Sequence, residues 1–147
     1  MIALLQRVTQ AQVTVAEDVI ASIGVGLLVF VGVERGDTEI EADRLLERVL
    51  GYRVFPDAQG KMNHSLRDVR GKLLLVPQFT LAADTHKGSR PSFTPSAPPE
   101  SGAQLFSYMA NKAGTAYGQV ACGRFGADMQ VALVNDGPVT FLLRAVP

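Results

Sequence analysis

The run Leu27-Leu28-Val29-Phe30-Val31-Gly32-Val33 carries no polar side chain. A half-exposed strand would alternate, and an amphipathic helix would show polar positions every third or fourth residue. Seven apolar residues are also far short of the roughly 20 that a membrane span needs. The pattern fits a strand covered on both faces. A second run, Leu73 to Val76, reads the same way. A sheet holding two such strands must be packed on both sides.

The rest of the chain is read around those two strands. Ile2 to Val8 and Gln12 to Val15 are short β-type runs, the second alternating Val13 and Val15 against Gln12 and Thr14. The clearest helix is "GDTEIEADRLLERVLG". Thr38 and Glu41 fit a capping box. Ala42, Leu45, Leu46, Val49 and Leu50 form one apolar stripe, and Gly51 suits the C′ position. Tyr52 to Phe55 fits a short strand closed by Pro56. A second helix is predicted from about Glu100 to Lys112, with Leu105, Phe106, Met109 and Ala113 on one side. Three β-type runs close the chain: Gln119 to Arg124, Met129 to Val134 and Val139 to Arg144. The order of elements predicts one mixed α/β domain over residues 1–147, a mixed sheet with two helices packed on one side.

Fourteen basic residues balance fourteen acidic ones, so any nucleic-acid contact has to be local. Cys122 is the only cysteine, which excludes a disulfide within the chain and suits a reducing compartment. The apolar start Met1 to Leu5 stops at Gln6 and Arg7, too short for a signal peptide. A cytoplasmic protein is expected, with no membrane association.

Familiar catalytic kits are missing. His64 and His86 are the only histidines. Ser89, His86 and Asp84 lie within six positions on one loop, whereas known triads draw on separate elements. No cysteine–histidine cluster has zinc spacing, and no phosphate-binding glycine loop matches. Cys122 reads as a small buried hydrophobe. Backbone groups, hydroxyls and amides are left. In "VPQFTL", Val76 to Leu81, a buried strand delivers Gln78 and Thr80 into a long Pro/Ser/Thr-rich loop. On a strand these two share a face, and an amide beside a hydroxyl can bond an ester or a ribose, or merely satisfy loop backbone. In "LVNDGPVTFLL", Leu133 to Leu143, two strands are expected to meet at Asn-Asp-Gly-Pro, either as a plain turn or as backbone shaped to touch a ligand.

Taken together, these segments resemble the D-aminoacyl-tRNA deacylases over essentially the whole length. The likeness is carried by "MIALLQRVTQAQVTV", "GLLVFVGVERGD", "RVLGYRVFPDAQGKMN", "QFTLAADTHKGSRPSF" and "GRFGADMQVALVNDGPVTF". Of the family's paired motifs, Asn-X-Gly-Pro-Val-Thr is complete from Asn135 to Thr140. The other, Ser-Gln-Phe-Thr-Leu, has Pro77 in place of the usual serine, as in a related branch, while Phe79 and Val139 match the main branch.

The resemblance implies an α/β/β three-layer fold and hydrolysis of the ester joining a D-amino acid to the terminal ribose of tRNA. It implies no metal or organic cofactor, and a homodimer with sites near the subunit interface. Gln78, Phe79 and Thr80 would line the catalytic pocket. Gly137 and Pro138 would form a cis pair inserted from one subunit into the other's site. Arg7 and Asn135 would support that pair, and Phe125 would help form the adenine side. The chemistry of chiral selection fits. With amino group, carbonyl and ribose fixed, L- and D-residues differ only in where side chain and hydrogen point. A stiff backbone wall on the L path rejects every L-residue, and Pro138, with φ locked, beside the small Gly137 makes such a wall. Glycyl-tRNA, lacking a Cβ, should pass. The competing reading is a non-catalytic RNA- or protein-binding domain on the same scaffold, favoured by the hydroxyl lost at Pro77.

Overall fold

A computed structural model describes residues 1–146. The chain begins with an antiparallel hairpin, β1 (Ile2–Val15) and β2 (Asp18–Ile23), followed by β3 (Gly26–Gly32) and helix α1 (Glu39–Gly51). A small hairpin, β4 (Phe55–Pro56) and β5 (Met62–His64), leads to a one-turn helix α2 (Leu66–Val69). Then come β6 (Lys72–Pro77), a 3₁₀ turn (Phe79–Ala82), helix α3 (Pro99–Ala116), β7 (Val120–Cys122) and β8 (Gln130–Arg144).

The long strand β1 organises the sheet. Along one edge it pairs with β8 over nearly its whole length. Its other edge is divided: Ile2 to Val8 pair with β3, and Ala11 to Val15 with β2. β6 adds parallel to β3, and β7 parallel to β6. Register shifts at Val8 and Gln10 change which face the side chains of β1 present. Met1, Ala3 and Leu5 pack with α1 and α3, whereas Val8, Ala11 and Val13 pack against Leu28, Leu74 and Val76. The second half of β1, with β2 and the first half of β8, thus curls back over the far side of β3 and β6. Helices, sheet and folded-over sheet make the three layers expected, and the two inner strands are covered on both faces.

Several expectations need correction. The two short runs at the start are one 14-residue strand, and the last two runs are one 15-residue strand, because each pairs with the other from end to end. The Asn-Asp-Gly-Pro segment is therefore a bulge within β8 and not a turn joining two strands. A third helix, α2, was not expected; four residues are too few for periodicity to show. Its signal was Ser65 with Asp68, which form a capping box. The β1–β2 hairpin turns through Ala16 and Glu17, both at positive φ. Such a turn normally announces itself with Asn or Gly, so β2 was not visible. Gly51 is the last helical residue and not a left-handed C′. The Tyr52–Phe55 strand shrinks to Phe55–Pro56.

The Thr38–Glu41 capping box is present as expected. Buried Glu41 accepts from the Thr38 hydroxyl at 2.7 Å and the Thr38 N–H at 2.6 Å. These bonds hold its carboxyl below the usual glutamate value. Among the described residues, no helix is long and apolar enough to cross a membrane.

Candidate active site

The first motif begins where β6 runs out. Successive N–H groups of a strand point to opposite edges. The Gln78 N–H bonds the Val31 carbonyl on the β3 side at 2.8 Å, so the position of Pro77 faces β7. But β7 stops at Cys122, opposite Leu75. Beyond it the Gly123 N–H still bonds the Leu75 carbonyl at 2.8 Å and Gly123 lies against Pro77, so the missing N–H of Pro77 leaves the ladder without its next bond and marks where β6 and β7 part.

Beyond Gln78 the backbone tightens into the 3₁₀ turn. Gly32 makes room: a Cβ there would lie 3.0 Å from Leu81 Cβ and 3.2 Å from the Gln78 carbonyl oxygen. The Gln78 amide nitrogen donates to the Thr80 hydroxyl. The two side chains meet as the sequence suggested, although on a turn and not on a strand. At the start of a helical turn the first N–H groups lack intrahelical partners. Among the described residues, the N–H groups of Phe79 and Thr80 have no protein acceptor. No base faces Thr80: its hydroxyl is bonded only to Gln78 among those residues.

Gln78, Phe79 and Phe125 line one pocket of about 430 Å³, with Phe106, Met129 and Val31. It lies between the end of β6, the start of α3 and the loop after β7. Phe125 rests over Gly102 in the first part of α3. Thr80 stands beside Gln78 and does not line the pocket. A larger cleft, about 750 Å³, opens at the seam between β1, β2, β7 and β8 and includes none of the predicted site residues.

The second motif is elsewhere. Val8 pairs with Asn135, and Gln6 with Thr140. One residue of β1, Arg7, thus faces four of β8, Asp136 to Val139. Asn135 closes this bulge from both sides: its amide nitrogen donates to the Thr140 hydroxyl at 2.8 Å, and its oxygen accepts from the Val139 N–H at 2.9 Å. Arg7, largely buried, donates from Nε to the Asp136 carbonyl at 3.0 Å and from Nη1 to the Val54 carbonyl at 2.7 Å. The Gly137–Pro138 bond is cis, and Gly137 has φ +138°. Both residues are exposed. A Cβ on Gly137 would meet Val139 Cγ2 at 2.6 Å and Arg7 Nη2 at 3.2 Å. Sequence reasoning missed Thr140 and Val54 as partners. Thr140 could have been found as the far end of its own motif; the Val54 carbonyl carries no sequence signal.

The predicted site residues therefore fall into two groups in one chain. Gln78, Phe79, Thr80 and Phe125 gather near the C-terminal end of β3. Arg7, Asn135, Gly137 and Pro138 gather near its N-terminal end, since Arg7 pairs with Leu27. Three strand spacings and about four residues of strand separate the groups, roughly 20 Å along the sheet. Burial pushes the half-buried Cys122 thiol up, away from reactivity. Among the described residues, no three His, Cys, Asp or Glu side chains are grouped to hold a metal ion.

Comparison with known proteins identifies the family. A family model described as D-Tyr-tRNA(Tyr) deacylase matches residues 4–144. A D-aminoacyl-tRNA deacylase of Nitrosococcus oceani is 66% identical over 147 residues, covering 100% of this chain and 95% of the relative. One from Herminiimonas arsenicoxydans is 60% identical, covering 100% and 99%. Among solved structures, a c-Myc DNA unwinding element binding protein superposes with a TM-score of 0.95 at 37% identity, over 100% of both chains. A probable eukaryotic D-amino acid tRNA deacylase gives 0.81 at 18% identity over 97% of each, a likeness of fold alone. With the family model spanning nearly the whole chain and both motifs held in folded form, the chain belongs to the D-Tyr-tRNA(Tyr) deacylase family.

Proposed function

We propose that this protein hydrolyses the ester bond of D-aminoacyl-tRNA and of glycyl-tRNA, releasing the free amino acid and tRNA, and that it does so as a homodimer. The observation that carries this reading is the separation of the two motifs. One is a pocket with unpaired N–H groups and no wall; the other is a wall with no pocket. Neither can serve the other within one chain. A second copy brought against β8 would supply the missing half. Among the described residues β8 has no strand partner beyond β1, and Val134 and Leu142 are exposed along it. Long unpaired strands with apolar side chains are seldom left uncovered.

In the proposed reaction the terminal nucleoside enters the pocket beside Phe125, and the N–H groups of Phe79 and Thr80 receive the ester carbonyl. Water attacks the carbonyl carbon with help from the ribose 2′-hydroxyl. The bond to the ribose 3′-oxygen breaks, and that oxygen takes a proton. Thr80 orients Gln78 and substrate and is not a nucleophile, since an unactivated hydroxyl is a poor one. The partner's Gly-Pro wall blocks any L side chain. Glycine offers the wall nothing to strike.

The test is loss of ester from D-Tyr-, L-Tyr- and Gly-tRNA at matched protein concentration, with sedimentation to read the oligomer. Hydrolysis of D-Tyr- and Gly-tRNA with L-Tyr-tRNA intact is expected. Cleavage of D-Tyr-tRNA with Gly-tRNA spared would replace the wall with a dedicated side-chain pocket. Equal ester loss with and without protein would leave only the non-catalytic binding reading.

A further inference from the structure

Phe79 both lines the pocket and reaches out of it. Its ring is 56% exposed and packs on the 44% exposed ring of Phe93, centroids 5.3 Å apart and tilted by 49°. Two large aromatic rings left open at a pocket mouth call for a flat apolar partner. Phe93 is well anchored. It follows an arm closed at its base by two backbone bonds between Asp84 and Ser92, 2.7 and 2.9 Å. The Phe93 carbonyl accepts from the Ser96 N–H at 3.0 Å, and the Ser96 hydroxyl donates to the Phe79 carbonyl at 3.3 Å. Arg35 braces the same segment through the Thr94 carbonyl at 2.7 Å. The exposed tip, Thr85 to Pro91, holds Lys87 and Arg90, and no carboxylate occurs from Thr85 through Pro99.

We propose that the Phe79–Phe93 pair is a stacking platform for the nucleotide preceding the terminal one in the RNA, with Lys87 and Arg90 on its phosphates. This rests on the deacylase reading and extends it beyond the terminal nucleoside. Unstacked bases of single-stranded RNA are held by aromatic rings, and the backbone by cations alongside. The pocket takes one nucleoside; the strand must then leave across its mouth, where the rings and the positive arm lie. Phe93 is a positioning residue and touches no reacting atom.

The test compares two esters, D-tyrosyl-adenosine and the dinucleotide D-tyrosyl-CpA. Wild-type protein should favour the dinucleotide in kcat/KM by about tenfold, the order of one base–aromatic stack. Phe93→Ala should remove that preference by raising KM for the dinucleotide about tenfold, with its kcat and all kinetics on the adenosine ester unchanged. Phe93→Tyr should restore it. The double variant Lys87→Ala, Arg90→Ala should flatten the dependence of log(kcat/KM) for D-Tyr-tRNA on log salt by about 1.4, two single-strand phosphate contacts. Equal losses on both esters would make Phe93 part of the pocket and overturn the platform. So would unchanged kinetics, or a changed sedimentation coefficient without a KM effect, which would put a second copy over the ring. If wild-type protein cleaves neither ester nor D-Tyr-tRNA, the deacylase reading fails and the platform with it.

Discussion

The two motifs of this protein are held by opposite means. The segment Gln78 to Thr80 is set by what lies under it: a strand buried on both faces, ending in a turn that packs against Gly32. Its position follows from the core. The segment Asn135 to Thr140 lies on an edge strand with only Val139 packed on the core, and is held chiefly by named hydrogen bonds from Asn135 and Arg7. A core-supported segment tolerates loss of one polar group, because packing still fixes the backbone. A bond-supported one should not. The contrast also explains the uneven motifs: the first accepts proline for serine, while the second is complete.

The sharpest way to break this contrast is Gly137→Ala. The new methyl would collide with Val139 and press on Arg7 at a φ that disfavours any side chain. We expect D-Tyr-tRNA hydrolysis to fall by about 100-fold, the scale of an ångström-level misplacement, with far-UV circular dichroism unchanged. Activity within twofold of wild type would mean that the bulge is not part of the site. Arg7→Lys comes next. Lysine keeps the charge but cannot reach the Asp136 and Val54 carbonyls together through a planar fork. A stability loss of about 1–3 kcal/mol in urea unfolding and an activity loss of about tenfold are expected. Full activity in this variant would show that the bulge holds its shape without Arg7.

Thr80→Ala tests the other side. It removes the partner of Gln78 but leaves the turn and its N–H groups in place. Activity should drop only a few-fold, about 1 kcal/mol in barrier. An acyl group trapped on Thr80 in mass spectrometry would make it a nucleophile and overturn this expectation. The smallest effect is expected at Thr38→Ala, far from both motifs. Loss of the helix cap should cost about 1 kcal/mol with no change in activity. Its pH dependence has a definite sign. The Glu41 carboxyl is held below its usual value by bonds from Thr38. Its contribution is therefore full above the ordinary glutamate value and lost as pH falls through the lowered one. The stability difference between wild type and Glu41→Gln should shrink in urea titrations run near pH 3 relative to pH 7.

Much of the site was legible because its residues are contiguous. Gln78 and Thr80 stand two apart, and the amide–hydroxyl contact survived even though a turn replaced the expected strand. Asn135 to Thr140 was legible as a unit, but not as a bulge. Whether Asn-Asp-Gly-Pro turns a hairpin or interrupts one strand depends on what pairs alongside, and that partner, Arg7, lies 129 positions away. Helix α1 was readable through its cap and stripe. Helix α2 and strand β2 were not, one too short for a period and the other entered through an Ala-Glu turn.

Sequence alone determined that two strands are buried on both faces, that α1 is capped by Thr38, and which residues make up each motif. These depend on side-chain polarity and on bonds within a few residues. Only the tertiary structure decided that β1 and β8 are single long strands, that register shifts let β1 serve two layers, and that the two motifs end up roughly 20 Å apart. Strand pairing joins residues more than 100 positions apart. Its register is set by the summed fit of both strands to the core, and no local stretch of sequence carries that sum.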